Sequence, residues 1–371
     1  MTPDELRTTI PALDDVTYLN TGAHGPSPRP IVERATDFLE YHEYESPGDD
    51  GPYPTAFDAY EAVREDVAAF IGAETEEVAL TQSTTDGINR IATALDWEPG
   101  DVVVRTDLEH PAGILPWRRL EQEGVEVRVV ESDAGRLDMD QYAEAVADAK
   151  LVCFSALTWN YGTRLPVREL ADIARDAGAL SVVDAVQSFG QYPVDVEDWG
   201  ADVVAGAGHK WLLGPWGAGF LYVRREAAED IEPHAVGYRG VTEPNADGLD
   251  FAAGAKRFEV GTTNPAPHVA LREAIDVAGR VGLDRTERHI RNLASQFIEA
   301  VPEGRLLSPH DPESGLVSFE VADPEGAVER LKSAGVVVRT LPEPKAVRAS
   351  FHNFNDESDV AALRDGLDGE W

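Results

Sequence analysis

A single cysteine, Cys153, is present in the 371 residues. That excludes an intrachain disulfide and any zinc cluster built from several thiolates. The residue stands inside the apolar run "KLVCFSALTW", where a small buried hydrophobe on a strand is expected. No stretch approaches the roughly 20 consecutive apolar residues that a membrane helix needs. Basic residues are scarce as well: 32 Lys and Arg stand against 68 Asp and Glu, a net charge of -36. Such a surface repels nucleic acid and anionic membranes, so neither is an expected partner. The acid is spread through patterned segments rather than gathered in a tail. This argues against a disordered acidic chain and for a halophile-type protein, whose self-repulsion a salty cytoplasm screens. The opening "MTPDELRTTIPALDDVTYLN" has no basic start followed by an apolar run, so no signal peptide is expected and the cytoplasm is the expected location. Lysine occurs only at positions 150, 210, 256, 332 and 345, and Lys210 is oddly placed among glycines, a histidine and tryptophans in "VVAGAGHKWLLGPWGAGF".

Seven short β-branched runs recur along the chain: "EVALTQ", "DVVVRT", "VEVRVV", "KLVCFSA", "ALSVVDA", "ADVVAGA" and "AGFLYVRR". Segments of helical period such as "PTAFDAYEAVREDVAAFIG" and "PVRELADIARDAGA" separate them. The alternation predicts an α/β fold with a mostly parallel sheet flanked by helices. A large domain is expected over residues 16–255. From about residue 268 the pattern becomes a long helical stretch and then short strands and helices, which predicts a smaller α+β unit from residues 1–15 and 256–371. The stretch "YESPGDDGPYPTAF" reads as a loop near the site.

In open parallel sheets ligands collect beyond the carboxyl ends of the strands, and the unusual residues stand there. After "EVAL", Ser83, Thr84 and Thr85 open a helix: either a phosphate cradle or a plain hydroxyl cap. Asp184 ends a strand with Gln187 three residues on, either as a helix cap or as the partner of a cationic ring nitrogen. His110 follows "VVVRTDLE", and His209 and Lys210 follow "VVAGAG". A lysine for an imine, a carboxylate for a pyridinium, hydroxyls at a helix start and an aromatic ring for stacking are together what pyridoxal 5'-phosphate requires.

The stretches "YLNTGAHGPSP", "STTDGIN", "EHPAGILPW", "VVDAVQSFG", "GHKWLLGPWGAGFLYV", "RFEVGTTN" and "VRASFHNFNDESDVAAL" resemble the class V aminotransferase family over nearly the whole chain. These are fold-type I pyridoxal phosphate enzymes that include cysteine desulfurases, selenocysteine lyases, kynureninases and isopenicillin N epimerase-like proteins. The resemblance implies the transferase fold with a seven-stranded sheet and a homodimer with shared active sites. By the same resemblance Lys210 carries the cofactor as an imine, His110 stacks on its ring, Asp184 pairs with the ring nitrogen and Gln187 reaches the phenolic oxygen. Thr84, Thr85 and His209 hold the phosphate, Thr262 reaches the phosphate of the neighbouring subunit, and Arg348 grips the substrate carboxylate. Asn20, His24, Tyr238, Arg239 and the 44–58 segment are expected around the substrate pocket.

Three departures stand out. Ala207 replaces the serine that many members carry three residues before the lysine, and Trp159 stands where many have asparagine. The segment "RTLPEPKAVRASF" lacks the loop cysteine that desulfurases of the family use. Transamination of an α-amino acid is the first expectation. A lyase or epimerase acting on a substituted amino acid is the alternative, because both begin with the same deprotonation. A non-catalytic binding scaffold is the reading from another class.

Overall fold

The computed structural model describes residues 1–371. All seven β-branched runs are strands: β1 (Val78–Thr81), β2 (Val102–Thr106), β3 (Glu126–Val130), β4 (Leu151–Ser155), β5 (Leu180–Asp184), β6 (Val203–Ala207) and β7 (Gly219–Val223). They form one sheet in the order β1-β7-β6-β5-β4-β2-β3. Neighbours run parallel except β7, which is antiparallel to both β1 and β6. Apart from the edge strand β3, both faces are buried, as a parallel sheet demands. Along β4 the side chains alternate accordingly, with Val152 and Phe154 in one core and Leu151 and Cys153 in the other.

A second, three-stranded antiparallel sheet joins β8 (Leu316–Phe319), β9 (Arg339–Leu341) and β10 (Ala346–Ser350) in the order β8-β10-β9. Its own core includes Phe297, Phe319, Leu331, Val347 and Phe351. The packing moves the expected domain boundary. The predicted long helix breaks at Gly282 (φ 90°) into Ala266–Val281 and Leu283–Ile298. The first of these buries Ala270, Leu271, Ala274 and Val277 in the large core, where Leu6, Ile10 and Leu13 also sit. Residues 1–15 and 256–281 therefore pack with the large unit, because their apolar faces match its helices rather than the small sheet. The proline-rich 44–58 segment is also more ordered than a loop. Short helical turns over Tyr41–Gly48 run into it, and the helix Pro52–Ile71 begins within it. Proline suits a first helical turn, whose N–H groups lack intrahelical acceptors.

Candidate active site

Five strand ends converge on one cavity of about 190 Å³. Ser83, Thr84 and Thr85 follow β1, His110 follows β2, Trp159 follows β4, Asp184 closes β5, and His209 and Lys210 follow β6. Arg339 and Arg348 enter from the small sheet, and Gly22 and Ala23 from the N-terminal segment. Eight of the ten residues singled out as site residues in the sequence thus line one space. Asn20 and Thr262 do not. Asn20 bridges to Ser350 behind the lining, and Thr262 is exposed, accepting a hydrogen bond from the Tyr238 hydroxyl at 2.9 Å. Of the other expected pocket residues, Arg239 is committed to a buried ion pair with Glu259, and His24 stacks beside His209 at 6.3 Å.

Close backbone approach builds the wall next to the lysine. A Cβ on Gly25 would stand 2.1 Å from the Lys210 carbonyl oxygen, and one on Gly22 would meet the Arg348 guanidinium at 2.8 Å. Only glycine lets "NTGAHG" lie there. Lys210 is buried, and its ammonium is pushed down to about 8, mainly by burial and further by Arg348 and Arg339, with Asp184 opposing. Asp184 is raised by burial even though the Val186 amide donates to it at 3.0 Å and Lys210 lies near. It is a carboxylate short of positive partners. His110 and His209 are both held below the usual histidine range, by burial first and then by the Lys210 charge. The His110 ring meets the Trp159 edge at 5.5 Å and 89°.

At the opposite end, the Ser83 hydroxyl caps the helix Thr84–Ala94 by accepting from the Asp86 amide at 3.1 Å. Thr84 Oγ1 is buried without a protein partner. Free amides of a first helical turn, a spare hydroxyl and His209 make a place for a phosphate-sized anion. Gln187 lines the cavity with both ends of its amide engaged, donating to the Gly22 carbonyl at 2.9 Å and accepting from the Trp211 indole at 2.8 Å. The second N–H of its amide nitrogen is left for the expected phenolic oxygen.

Arg348 is wholly buried. Nη1 donates to the Trp159 carbonyl at 2.7 Å, whereas Nε and Nη2 have no protein partner. Arg339, absent from the expected set, faces the same cavity because it is the cross-strand partner of Arg348 between β9 and β10. Like charges directly opposite on a sheet are unfavourable unless an anion lies between them. The signal in the sequence was the first arginine of "VVVRTLPEPKAVR", legible only once the hairpin register is known.

The class-V aminotransferase family profile matches residues 17–363. A protein of Methanothermobacter thermautotrophicus named probable cysteine desulfurase is 34% identical, over 99% of this chain and 98% of its own length. Two solved structures of the protein C-DES are 27% identical to this chain. One, a lysine-to-alanine variant with glycine covalently linked to the PLP cofactor, superposes with a TM-score of 0.92 over 98% of this chain and 99% of its own. The other, described as the cystine C-S lyase in complex with its product cysteine persulfide, gives 0.91 over 97% and 99%.

Proposed function

Because the chain belongs to the class-V aminotransferase family, we propose that it is a pyridoxal 5'-phosphate-dependent C–S lyase that eliminates sulfur from a cystine-like amino acid without storing it on an enzyme cysteine. The observation that carries this reading is the position of its only thiol. Cys153 is 1% exposed in the middle of β4, on the core side of the sheet. Burial pushes that thiol far above its ordinary range, whereas persulfide-forming cysteines must be exposed and ionised. The relatives' names favour this lyase alternative over the transamination expected first from the sequence.

The cavity fits the cofactor. The underpaired Asp184 carboxylate suits a protonated ring nitrogen, the spare Thr84 hydroxyl and helix-start amides suit the phosphate, and Lys210 suits the aldehyde. With Ala207 in place of serine, one phosphate hydrogen bond of the family pattern is lost, on the order of 1 kcal/mol. When bound, pyridoxal phosphate supplies an electron sink for the pair released from the substrate Cα–H bond. The remaining work belongs to the chain. Arg348 presents its two free N–H groups to the substrate α-carboxylate, and Lys210 Nζ takes the Cα proton. Asp184 keeps the ring nitrogen protonated, and the His110 ring walls the outer side. The Cβ–S bond then breaks with its electron pair leaving on sulfur. For cystine plus one water, the products are cysteine persulfide, pyruvate and ammonia. Arg339 adds a second cation for the second carboxylate of such a substrate.

Incubation of the holoenzyme with L-cystine in molar salt should yield pyruvate and cysteine persulfide, and Cys153→Ala should do so at the wild-type rate. A persulfide mapped to Cys153, or glutamate formed from 2-oxoglutarate, would sink this reading.

The homodimer belongs to the same proposal. Val236, Tyr238 and Val260 are exposed; Val260 lies two residues before Thr262, and the Tyr238 hydroxyl orders the Thr262 backbone amide by accepting from it at 2.8 Å. Light scattering in molar salt should report two chains per particle, and Thr262→Ala should weaken cofactor binding by a few-fold, about one hydrogen bond. A fully active monomer refutes shared sites.

A further inference from the structure

One buried carboxyl beside the cavity has no part in the chemistry above. Glu109 is 3% exposed and directly precedes His110. Its Oε1 accepts from the Thr106 hydroxyl at 2.7 Å and from the Ser155 amide at 2.9 Å, and the Ser155 hydroxyl donates to Oε2 at 2.8 Å. No cation is among its partners. Thr106 Oγ1 also accepts from the Leu108 amide at 3.2 Å, so the turn after β2 is closed on itself and tied through the carboxyl to the end of β4. The chain then folds back over the group: a Cβ on Gly113 would stand 3.1 Å from Glu109 Oε2. The His110 side chain has little of its own to hold it. It lines the cavity with one edge open to solvent at the rim, Nδ1 accepts from the Ala112 amide at a long 3.3 Å, and Trp159 touches the ring edge-on.

We propose that Glu109 is the positioning residue for His110: its carboxyl joins the ends of β2 and β4 and thereby fixes where the His110 ring stands over the cavity. The proposal deepens the cofactor-site reading given above and rests on it for its catalytic consequence, though not for its geometry.

Protonation state follows from the surroundings. The titratable groups facing Glu109 are Asp184 from β5 and the Cys153 thiol from β4. Burial raises its carboxyl to about 7, Asp184 adds to the rise, and the hydroxyls of Thr106 and Ser155 and the Ser155 amide oppose it. Below that pH the acid proton lies toward Ser155 Oγ, and Oε1 remains the double acceptor. A glutamine reproduces this neutral pattern, with its carbonyl accepting twice and its amide donating to Ser155. Alanine removes it. The sign for stability follows: a carboxyl raised in the folded state makes the fold lose stability as pH rises from about 4.5 to about 7.

The test compares Glu109→Gln and Glu109→Ala by NMR of the His110 ring in cofactor-free protein, with the resonance assigned by its loss in His110→Asn. Wild type should show a His110 shift with a step near pH 7 as Glu109 ionises. Glu109→Gln should keep the low-pH shift and lose the step, and Glu109→Ala should move and broaden the signal. In the holoenzyme Glu109→Ala should lower kcat about ten-fold with little change in KM, as expected for a misplaced ring. If Glu109→Ala fails to fold, Thr106→Val and Ser155→Ala, each removing one anchor, must shift the same resonance. A His110 signal indifferent to these changes overturns the proposal. Failure of the cofactor-site reading is seen separately, as wild-type protein that gains no cofactor absorbance.

Discussion

Lys210→Ala is expected to lower pyruvate release from L-cystine by about 10⁴-fold or more, the upper range for loss of a positioned acid–base group, with the covalent hold on the cofactor lost besides. The side chain is buried at the end of β6, and its ammonium is lowered to about 8. A fraction is therefore uncharged near neutrality, which an ordinary lysine is not. Arginine holds its proton at any working pH, so Lys210→Arg should be as inactive as alanine. A small primary amine added to Lys210→Ala should restore part of the rate, since the cavity already shapes the path of the proton. Borohydride treatment of wild-type holoenzyme should fix the cofactor on the peptide containing Lys210 and leave Lys210→Ala unlabelled. Activity that survives in Lys210→Ala, or label on another lysine, removes the basis of the proposed chemistry.

How much of this is legible in the sequence varies with the range of the interaction that decides each feature. The seven strands announced themselves because a sheet buried on both faces needs uninterrupted β-branched runs, and all seven lie in one sheet. Lys210, Asp184, His110 and Thr84 were legible because each ends such a run or follows it within four residues, where strand direction brings the chain to the cavity. Arg339 was not, because its direction depends on the β9–β10 register and that register on the whole hairpin. Glu109 was hidden for a similar reason. A carboxylate in "DLEHP" looks solvated until Ser155, a residue 46 positions away, closes over it. Gln187 lines the cavity, and its amide also bonds Gly22 and Trp211, contacts that join three distant segments and that no local pattern announces. The boundary expected after residue 255 differs from where the packing changes, because helical period reports that a face is apolar and not which core receives it.

The two arginines give the second large effect. Arg348→Met should raise KM for every amino acid substrate by about 100-fold, since two charge-assisted hydrogen bonds to a carboxylate together contribute roughly 3 kcal/mol. The guanidinium is wholly buried, yet only Nη1 has a protein partner, and Arg339 repels it. A structural ion pair would behave differently. Removing one partner of a buried pair strands the other and destabilises strongly, whereas removing an unpaired buried cation relieves a desolvation cost. The substrate-free Arg348→Met protein should therefore melt at or above the wild-type temperature while binding substrate poorly, a combination that a packing role does not produce. Arg339→Ala should separate substrates instead. With L-cystine, which brings a second carboxylate, KM should rise about ten-fold, near the energy of one partly exposed charge-assisted contact. With S-methyl-L-cysteine, which has a single carboxylate, the change should stay within about two-fold, because Arg348 alone satisfies that group. The ratio of the two effects is the decisive quantity, because any general loosening of the β9–β10 hairpin would weaken both substrates together. Equal losses would return Arg339 to a structural role and leave the choice of a dicarboxylate substrate without support.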